Sequence, residues 1–247
     1  MEGYVCCCVP GMRIAATADL HFGKSSAGTL QALLSQIATD ADVLVIAGDI
    51  TDYGTPDEAR SFAKELAASV RIPVVAVLGN HDFESGADRE IHQILVDHGV
   101  CVLDGDTCEV LGVGFAGVKG FAGGFGRRAL GPWGEPIIKQ FVHEAVNEAL
   151  KLESALARLR TDKKIVVLHY APIEATVVGE PREIYPYLGC SRLEEPLGRY
   201  NVTVVLHGHA HHGSPEGRTS ANVPVYNVAL PLMRRLSPDQ PFRIIDV

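Results

Sequence analysis

Five short polar clusters carry the residue types that chemistry needs. They are Asp19-Leu-His21, Gly48-Asp49-Ile-Thr-Asp52, Gly79-Asn80-His81-Asp82, His169-Tyr-Ala-Pro172 and His207-Gly208-His209-Ala210-His211. Singly they are weak: a strand-end turn or a helix cap accounts for Asp-x-His or Gly-Asp. Gly-Asn-His-Asp and Gly-His-x-His are more specific. A lone His169 would more often be a satisfied core histidine. In order along one chain, the five deliver carboxylate, amide and imidazole groups together. That mixture suits borderline divalent metals such as Mn, Fe, Zn, Co or Ni, and no cysteine lies in the clusters to make a soft thiolate site. Two such ions about 4 Å apart can clamp the attacking and leaving oxygens of an in-line phosphoryl displacement and activate a water at neutral pH. A carboxylate shared by both ions would set their spacing, and Asp49 is the candidate. No protein nucleophile is then required, and the chain has neither a Gly-x-Ser-x-Gly elbow nor a P-loop.

Each cluster follows an apolar run: Ile14–Ala16, Val43–Ala47, Val74–Leu78, Ile165–Leu168 and Val202–Leu206. The runs are rich in Val and Ile and lack polar alternation, as strands buried on both faces do. Between them lie the amphipathic stretches Thr29–Thr39, Asp57–Ser69, Arg89–His98 and Ile137–Arg160, which read as helices. Alternating strands and helices imply βαβ units and a largely parallel sheet, whose ligands bind beyond the carboxyl ends of the strands. Val100–Ala116 and the tail Asn222–Val247 read as short strands with turns, so a second, mixed sheet is expected. The glycine-dense segment Gly112–Glu135 is too long for a plain connection. It reads as a lid or substrate-side wall, with Arg127 and Arg128 as candidate phosphate contacts. Lys24, just past the first cluster, is a third candidate. Ile173–Cys190, with Arg182, Tyr185 and Tyr187, is a second specificity segment.

With 247 residues, the chain can bury one large core. Its formal net charge of −8 argues against a general nucleic-acid binder and against docking on anionic membranes. No apolar run approaches the roughly 18 residues of a membrane span, and Met1–Pro10 lacks the regions of a signal peptide. The six cysteines show no metal-finger spacing, which reads as reduced thiols in a cytoplasmic protein. Lipidation or metal binding at Cys6–Cys8 is the sharper alternative. Met12 opens the first strand pattern. Residues 1–11 therefore read as a disordered extension, with Met12 a candidate natural start, and 12–247 as a single domain.

The ordered motifs resemble those of the calcineurin-like metallophosphoesterase family: Asp-x-His, Gly-Asp-x-x-Asp, Gly-Asn-His-Asp/Glu, His, then Gly-His-x-His. They run from Asp19 to His211, nearly the whole chain. The resemblance implies an α/β fold: a four-layer α-β-β-α sandwich of two mixed sheets flanked by helices, with metals at the C-terminal strand edge. It implies that Asp19, His21, Asp49 and His211 hold one ion and that Asp49, Asn80, His169 and His209 hold the other. His81 would be the general acid or would stabilise developing charge, and Asp52 would hold and orient it. Four histidines between 207 and 212 compete for two ligand positions. The family pattern selects His209 and His211, leaving His207 and His212 as supporting groups.

One departure is informative. Protein Ser/Thr phosphatases of this superfamily follow Gly-Asp-x-x-Asp with Arg-Gly, whereas Tyr53-Gly54 stand here. The expected activity is hydrolysis of phosphomonoesters or phosphodiesters of a small molecule or nucleotide. A nuclease would need a basic groove, which the acidic chain does not suggest. A non-catalytic scaffold would be expected to have lost ligand residues, and here each is filled.

Overall fold

A computed structural model of the chain describes residues 11–23 and 25–247, and Arg128 by its backbone alone. Residues 1–10, with Cys6–Cys8, and Lys24 lie outside the described residues, as does the Arg128 side chain. The elements run β1 (Arg13–Thr17), α1 (Gln31–Asp40), β2 (Val43–Ala47), α2 (Pro56–Ser69), β3 (Val74–Val77), α3 (Asp88–Asp97), β4 (Val100–Val102), β5 (Asp106–Val110) and β6 (Val113–Val118). Then follow α4 (Pro136–Arg158), β7 (Lys164–Leu168), α5 (Tyr185–Leu188), α6 (Glu194–Leu197), β8 (Val204–His207), β9 (Glu216–Arg218), β10 (Pro224–Asn227), α7 (Leu230–Leu236) and β11 (Arg243–Asp246).

The strands form two mixed sheets, ordered β11-β1-β2-β3-β4 and β5-β6-β7-β8-β10-β9. In each the interior strands are parallel, and antiparallel pairing is confined to the edges at β11, β5 and β9. The apolar runs lack alternation because both of their faces are covered. Ile14, Val43, Val45 and Val75 meet Phe115, Ile165, Val167 and Leu206 between the sheets. On the outer face of the first sheet lie Leu34 and Ile37 of α1, Phe62 of α2 and Ile91 of α3. On the outer face of the second lie Leu152 and Leu156 of α4 and Leu197 of α6. The four layers are those expected.

The start of α2 also fixes the turn beside the second polar cluster. Thr55 Oγ1 accepts the Glu58 amide at 3.4 Å, and Glu58 Oε2 accepts the amides of Thr55 and Tyr53, each at 3.1 Å. This reciprocal cap satisfies otherwise unpaired donors and anchors the chain immediately after Asp52.

Three local expectations need correction. Gly112–Glu135 is not one loop, because Val113–Val118 is buried and pairs with β5 and β7. The irregular stretch begins at Lys119. The tail is not all strand: Leu230–Leu236 is helical, with Pro231 in its first turn and Leu230, Leu232 and Met233 buried. Two turns are too few for a 3.6-residue period to show. Finally, β8 reaches His207, one residue beyond its expected end. Among the described residues, no helix is long and apolar enough to cross a membrane.

Candidate active site

The five clusters meet on one rim, at the carboxyl ends of β1, β2, β3, β7 and β8. The first two loops are zipped together beyond their strands. The amides of Asp19, His21 and Phe22 donate to the carbonyls of Gly48, Asp49 and Ile50 at 2.9, 3.1 and 2.9 Å. To turn outward there, the backbone adopts left-handed conformations. Among the described residues six non-glycine positions have positive φ, and four of them are Asp19, His21, Asp49 and His209. Such backbone costs of order 1 kcal/mol or more at each residue and persists only where its surroundings over-determine it. Two glycines permit the close approach of these loops. A Cβ on Gly79 would strike the Asp49 carboxylate and amide, and one on Gly208 would strike the Asp19 carboxylate and Ala18.

The side chains converge in three groups, within each of which the potential ligand atoms lie within 4.8 Å of one another: Asp19, His21 and His211; Asp49, His169 and His209; and His21, Asp52 and His81. Backbone carbonyls aim the imidazoles. Ala47 O lies 2.9 Å from His169 Nδ1, so that nitrogen donates and Nε2 faces Asn80 Oδ1 at 2.9 Å and Asp49 Oδ1 at 3.4 Å. Tyr187 O, from the second specificity segment, lies 3.2 Å from His209 Nε2, which leaves Nδ1 of that ring free to bind. A hydrogen bond to one ring nitrogen fixes which nitrogen can act as a ligand. Asp19 accepts from the His209 amide at 3.0 Å and sits 3.0 Å from His211 Nε2.

The charges are strongly coupled. Burial is the largest influence on His169 and pulls its pKa down, but the Asp49 charge and hydrogen bond outweigh it and hold it at about 9. Asp49 is likewise pushed up by burial, yet His169 brings it below the ordinary carboxylate value. The Asp19 hydrogen bond raises His211. His21 and His209 go the other way: burial lowers both, His209 to about 4, which favours neutral imidazole. Metal ligands must be deprotonated, so these two rings are already in the binding form.

These residues fit a divalent metal. Both His21 ring nitrogens are buried without a hydrogen-bond partner, although Asp52 Oδ1 is 3.5 Å from Nδ1 and Asp49 Oδ2 is 3.9 Å from Nε2. A buried polar atom left unpaired costs about 1–3 kcal/mol. A cation shared with the flanking carboxylates would satisfy one of them. The donor set is oxygen and nitrogen throughout, as borderline metals prefer.

His81 stands beside this cluster. Its amide donates to Asp49 Oδ1 at 2.8 Å, and its Nδ1 lies 2.7 Å from the backbone carbonyl of Asp52. Asp52 therefore orients His81 through its main chain, while its carboxylate faces His21. Sequence reasoning gave no role to Asp82, the last residue of its motif. It is fully buried, and it accepts from Gly79 N at 2.8 Å, Thr51 N at 2.8 Å and Thr51 Oγ1 at 2.7 Å. It thus clamps the loop after β3 to the loop after β2.

The ambiguous histidines separate cleanly. His207 is buried away from the three groups, with Nδ1 2.8 Å from Gly208 O and Nε2 2.8 Å from Thr176 Oγ1. His212 is exposed and touches Arg235 Nη1 and, through its amide, Glu180. Arg127 is exposed too. It lines a cleft of about 570 Å³ with Arg182, Glu174 and Tyr185, and none of the candidate ligand residues lines that cleft.

The calcineurin-like phosphoesterase family model matches residues 12–213. The chain is 27% identical over 229 residues to a probable cyclic nucleotide phosphodiesterase of Rhodococcus erythropolis, covering 86% of this chain and 65% of that protein. It is 24% identical over 187 residues to a probable glycerophosphodiester phosphodiesterase, GpdQ, of Arcobacter nitrofigilis, covering 73% and 60%. The chain thus spans less than two thirds of the length of these curated relatives. Among solved structures, phosphopantetheinyl hydrolase (PptH) from Mycobacterium tuberculosis superposes with a TM-score of 0.68 at 17% identity over 96% of each chain, a likeness of fold.

Proposed function

We propose, on the premise that the chain belongs to the calcineurin-like phosphoesterase family and is a metal-dependent hydrolase of phosphoester bonds, that its rim holds two divalent cations and cleaves a small-molecule or nucleotide phosphoester. The observation that carries this reading is the pair of ligand groups side by side, Asp19, His21 and His211 next to Asp49, His169 and His209. Asp49 faces both, because Oδ1 lies 3.4 Å from His169 Nε2 and Oδ2 lies 3.9 Å from His21 Nε2. Asp19, His21, Asp49 and His211 would hold one cation. Asp49, Asn80, His169 and His209 would hold the other. Mn, Fe, Zn, Co and Ni are all compatible with these donors. When bound, the cations supply Lewis-acid polarisation of the phosphoryl group and a water acidic enough to attack at neutral pH.

The chain itself contributes position and proton transfer. A carbonyl can only accept, so His81 Nδ1 carries its proton toward Asp52 O, and Nε2 is the nitrogen left for substrate. Protonated there, His81 gives a proton to the leaving-group oxygen as the P–O bond breaks, or steadies charge on a phosphoryl oxygen. The names of the two curated relatives favour a diester.

The test is hydrolysis of bis-p-nitrophenyl phosphate beside p-nitrophenyl phosphate, with Mn added and chelator as control, together with metal content by mass spectrometry. Chelator-sensitive cleavage with about two ions per chain is expected. Chelator-resistant cleavage, or one ion at full activity, would refute the dinuclear reading.

A further inference from the structure

Lys119 begins the irregular stretch after β6. Its carbonyl accepts the amides of His169 and Tyr170, each at 3.0 Å, which pins it to the loop that carries a ligand histidine. Its side chain turns into a cleft of about 490 Å³ that opens beside Asn80 and is walled by Phe83, Phe121, Phe141 and Tyr170. The ammonium lies 5.2, 5.0 and 5.3 Å from the ring centres of Phe83, Phe121 and Tyr170. It donates one hydrogen bond, to Gly120 O at 2.9 Å.

That leaves two N–H donors unspent. The buried carboxylate nearby, Glu148, is occupied elsewhere, accepting from Gly120 N at 2.7 Å and Lys151 Nζ at 2.8 Å. Among the described residues, no carboxylate oxygen lies within ion-pair distance of Lys119. A lysine normally keeps its head in water, and this one is held among three rings at the edge of the candidate metal centre. A cleft of this size, with four aromatic rings and a few polar groups (Asn80, Lys119, Gln140 and Glu144) in its lining, has the make-up of a ligand site.

We propose that Lys119 and its aromatic cleft are the leaving-group subsite, selecting phosphodiesters whose leaving group carries a planar ring with an oxygen or nitrogen acceptor over those whose leaving group is a polyol. The inference rests on the rim being a phosphoesterase centre. The phosphoryl group sits at the rim by Asn80, the ring lies against Phe141 and Phe83, and the ring acceptor takes a hydrogen bond from Lys119 Nζ. Aromatic walls favour a planar ring through offset or edge contacts. The unspent donors favour an acceptor on it.

The experiment compares kcat/KM for 3′,5′-cyclic AMP with that for glycerophosphocholine in the metal-loaded protein, and measures adenosine binding by calorimetry in chelator. Wild type is expected to prefer the cyclic nucleotide and to bind adenosine. Lys119→Met should lower the selectivity ratio about tenfold, a loss of about 1.4 kcal/mol, and Lys119→Arg should recover part of it. Phe141→Ala, which leaves Lys119 in place, should lower the ratio and weaken adenosine binding independently. A ratio within twofold of wild type in both Lys119→Met and Phe141→Ala would overturn the proposal and leave Lys119 as a cation–π rivet. Cleavage of both diesters without adenosine binding would also overturn it, while sparing the phosphoesterase reading. Adenosine binding without any metal-dependent cleavage would sink that reading and leave the subsite standing.

Discussion

The rim loops are short, and each is fastened directly to a neighbouring strand end: Asp19 to Gly48, His21 to Asp49, His81 to Asp49, His209 to Asp19. The wall beside them, formed by residues 119–135 and 173–190, is held mainly loop to loop. Gly123 N donates to Pro186 O at 2.7 Å, Gly124 N to Gly189 O at 2.8 Å and Ser191 N to Gly124 O at 3.1 Å. It leaves Trp133 and Tyr187 more than 60% exposed. The rim has side chains whose positions are over-determined. The wall has surfaces that one loop can alter without disturbing the sheets. On the proposed reading the first would set reaction type and the second the choice of substrate, so mutations in the two regions should differ in kind: all-or-none at the rim, graded at the wall.

The sharpest break in that contrast would come from Asp49. Asp49→Ala removes the carboxylate that faces both ligand groups and accepts the His81 amide. Metal should be lost on mass spectrometric analysis, and activity should fall by more than the roughly 10- to 100-fold typical of a supporting group. Retention of both ions would remove Asp49 from its shared position. Next in size is His81→Ala, which keeps the backbone amide on Asp49 Oδ1 but removes the ring that packs edge-on against His21. Turnover should drop by about 100- to 10,000-fold with metal content intact. A wild-type rate in that variant would show that Nε2 does no proton transfer.

The rim was legible because its code is local. Each candidate ligand cluster follows a short apolar run in the sequence, and the run itself says which strand end will carry it. His209 and His211, which the motif pattern picks over His207, are the two that stand in the candidate groups, because Gly208 makes room for the turn that sends His209 past Asp19. The parts that escaped notice depend on distant contacts or on the main chain. The three rings around Lys119 come from positions 83, 121 and 170, and nothing at any one of them foretells the meeting. The carbonyls of Ala47, Asp52 and Tyr187 aim three imidazoles, yet a carbonyl has no residue type to read. Asp82 sat in a recognised motif, but its buried clamp on Thr51 needed the loops in place. Arg127 drew attention by charge alone, and it points into a different cleft.

His207 and His211 sharpen the comparison within one short segment. His207→Ala strands the Thr176 hydroxyl in the core and should lower stability by about 1–3 kcal/mol without removing metal. His211→Ala should remove metal while leaving the melting temperature of the chelated protein nearly unchanged. Denaturant melts paired with metal analysis read both. If His207→Ala lost metal and His211→Ala kept it, the ligand register after β8 would be wrong.

The smallest effect should come from Arg127→Ala. An exposed guanidinium in a cleft that no candidate ligand residue lines can help a substrate only through solvent-screened contact, worth about 1 kcal/mol at most. The expected change in kcat/KM is therefore about fivefold or less, appearing in KM and fading as salt is raised. A hundredfold loss in kcat would mean that the 119–135 segment closes over the rim during turnover. In that case the wall would belong to the catalytic apparatus, and the division between an over-determined rim and an adjustable wall would fail at its most exposed residue.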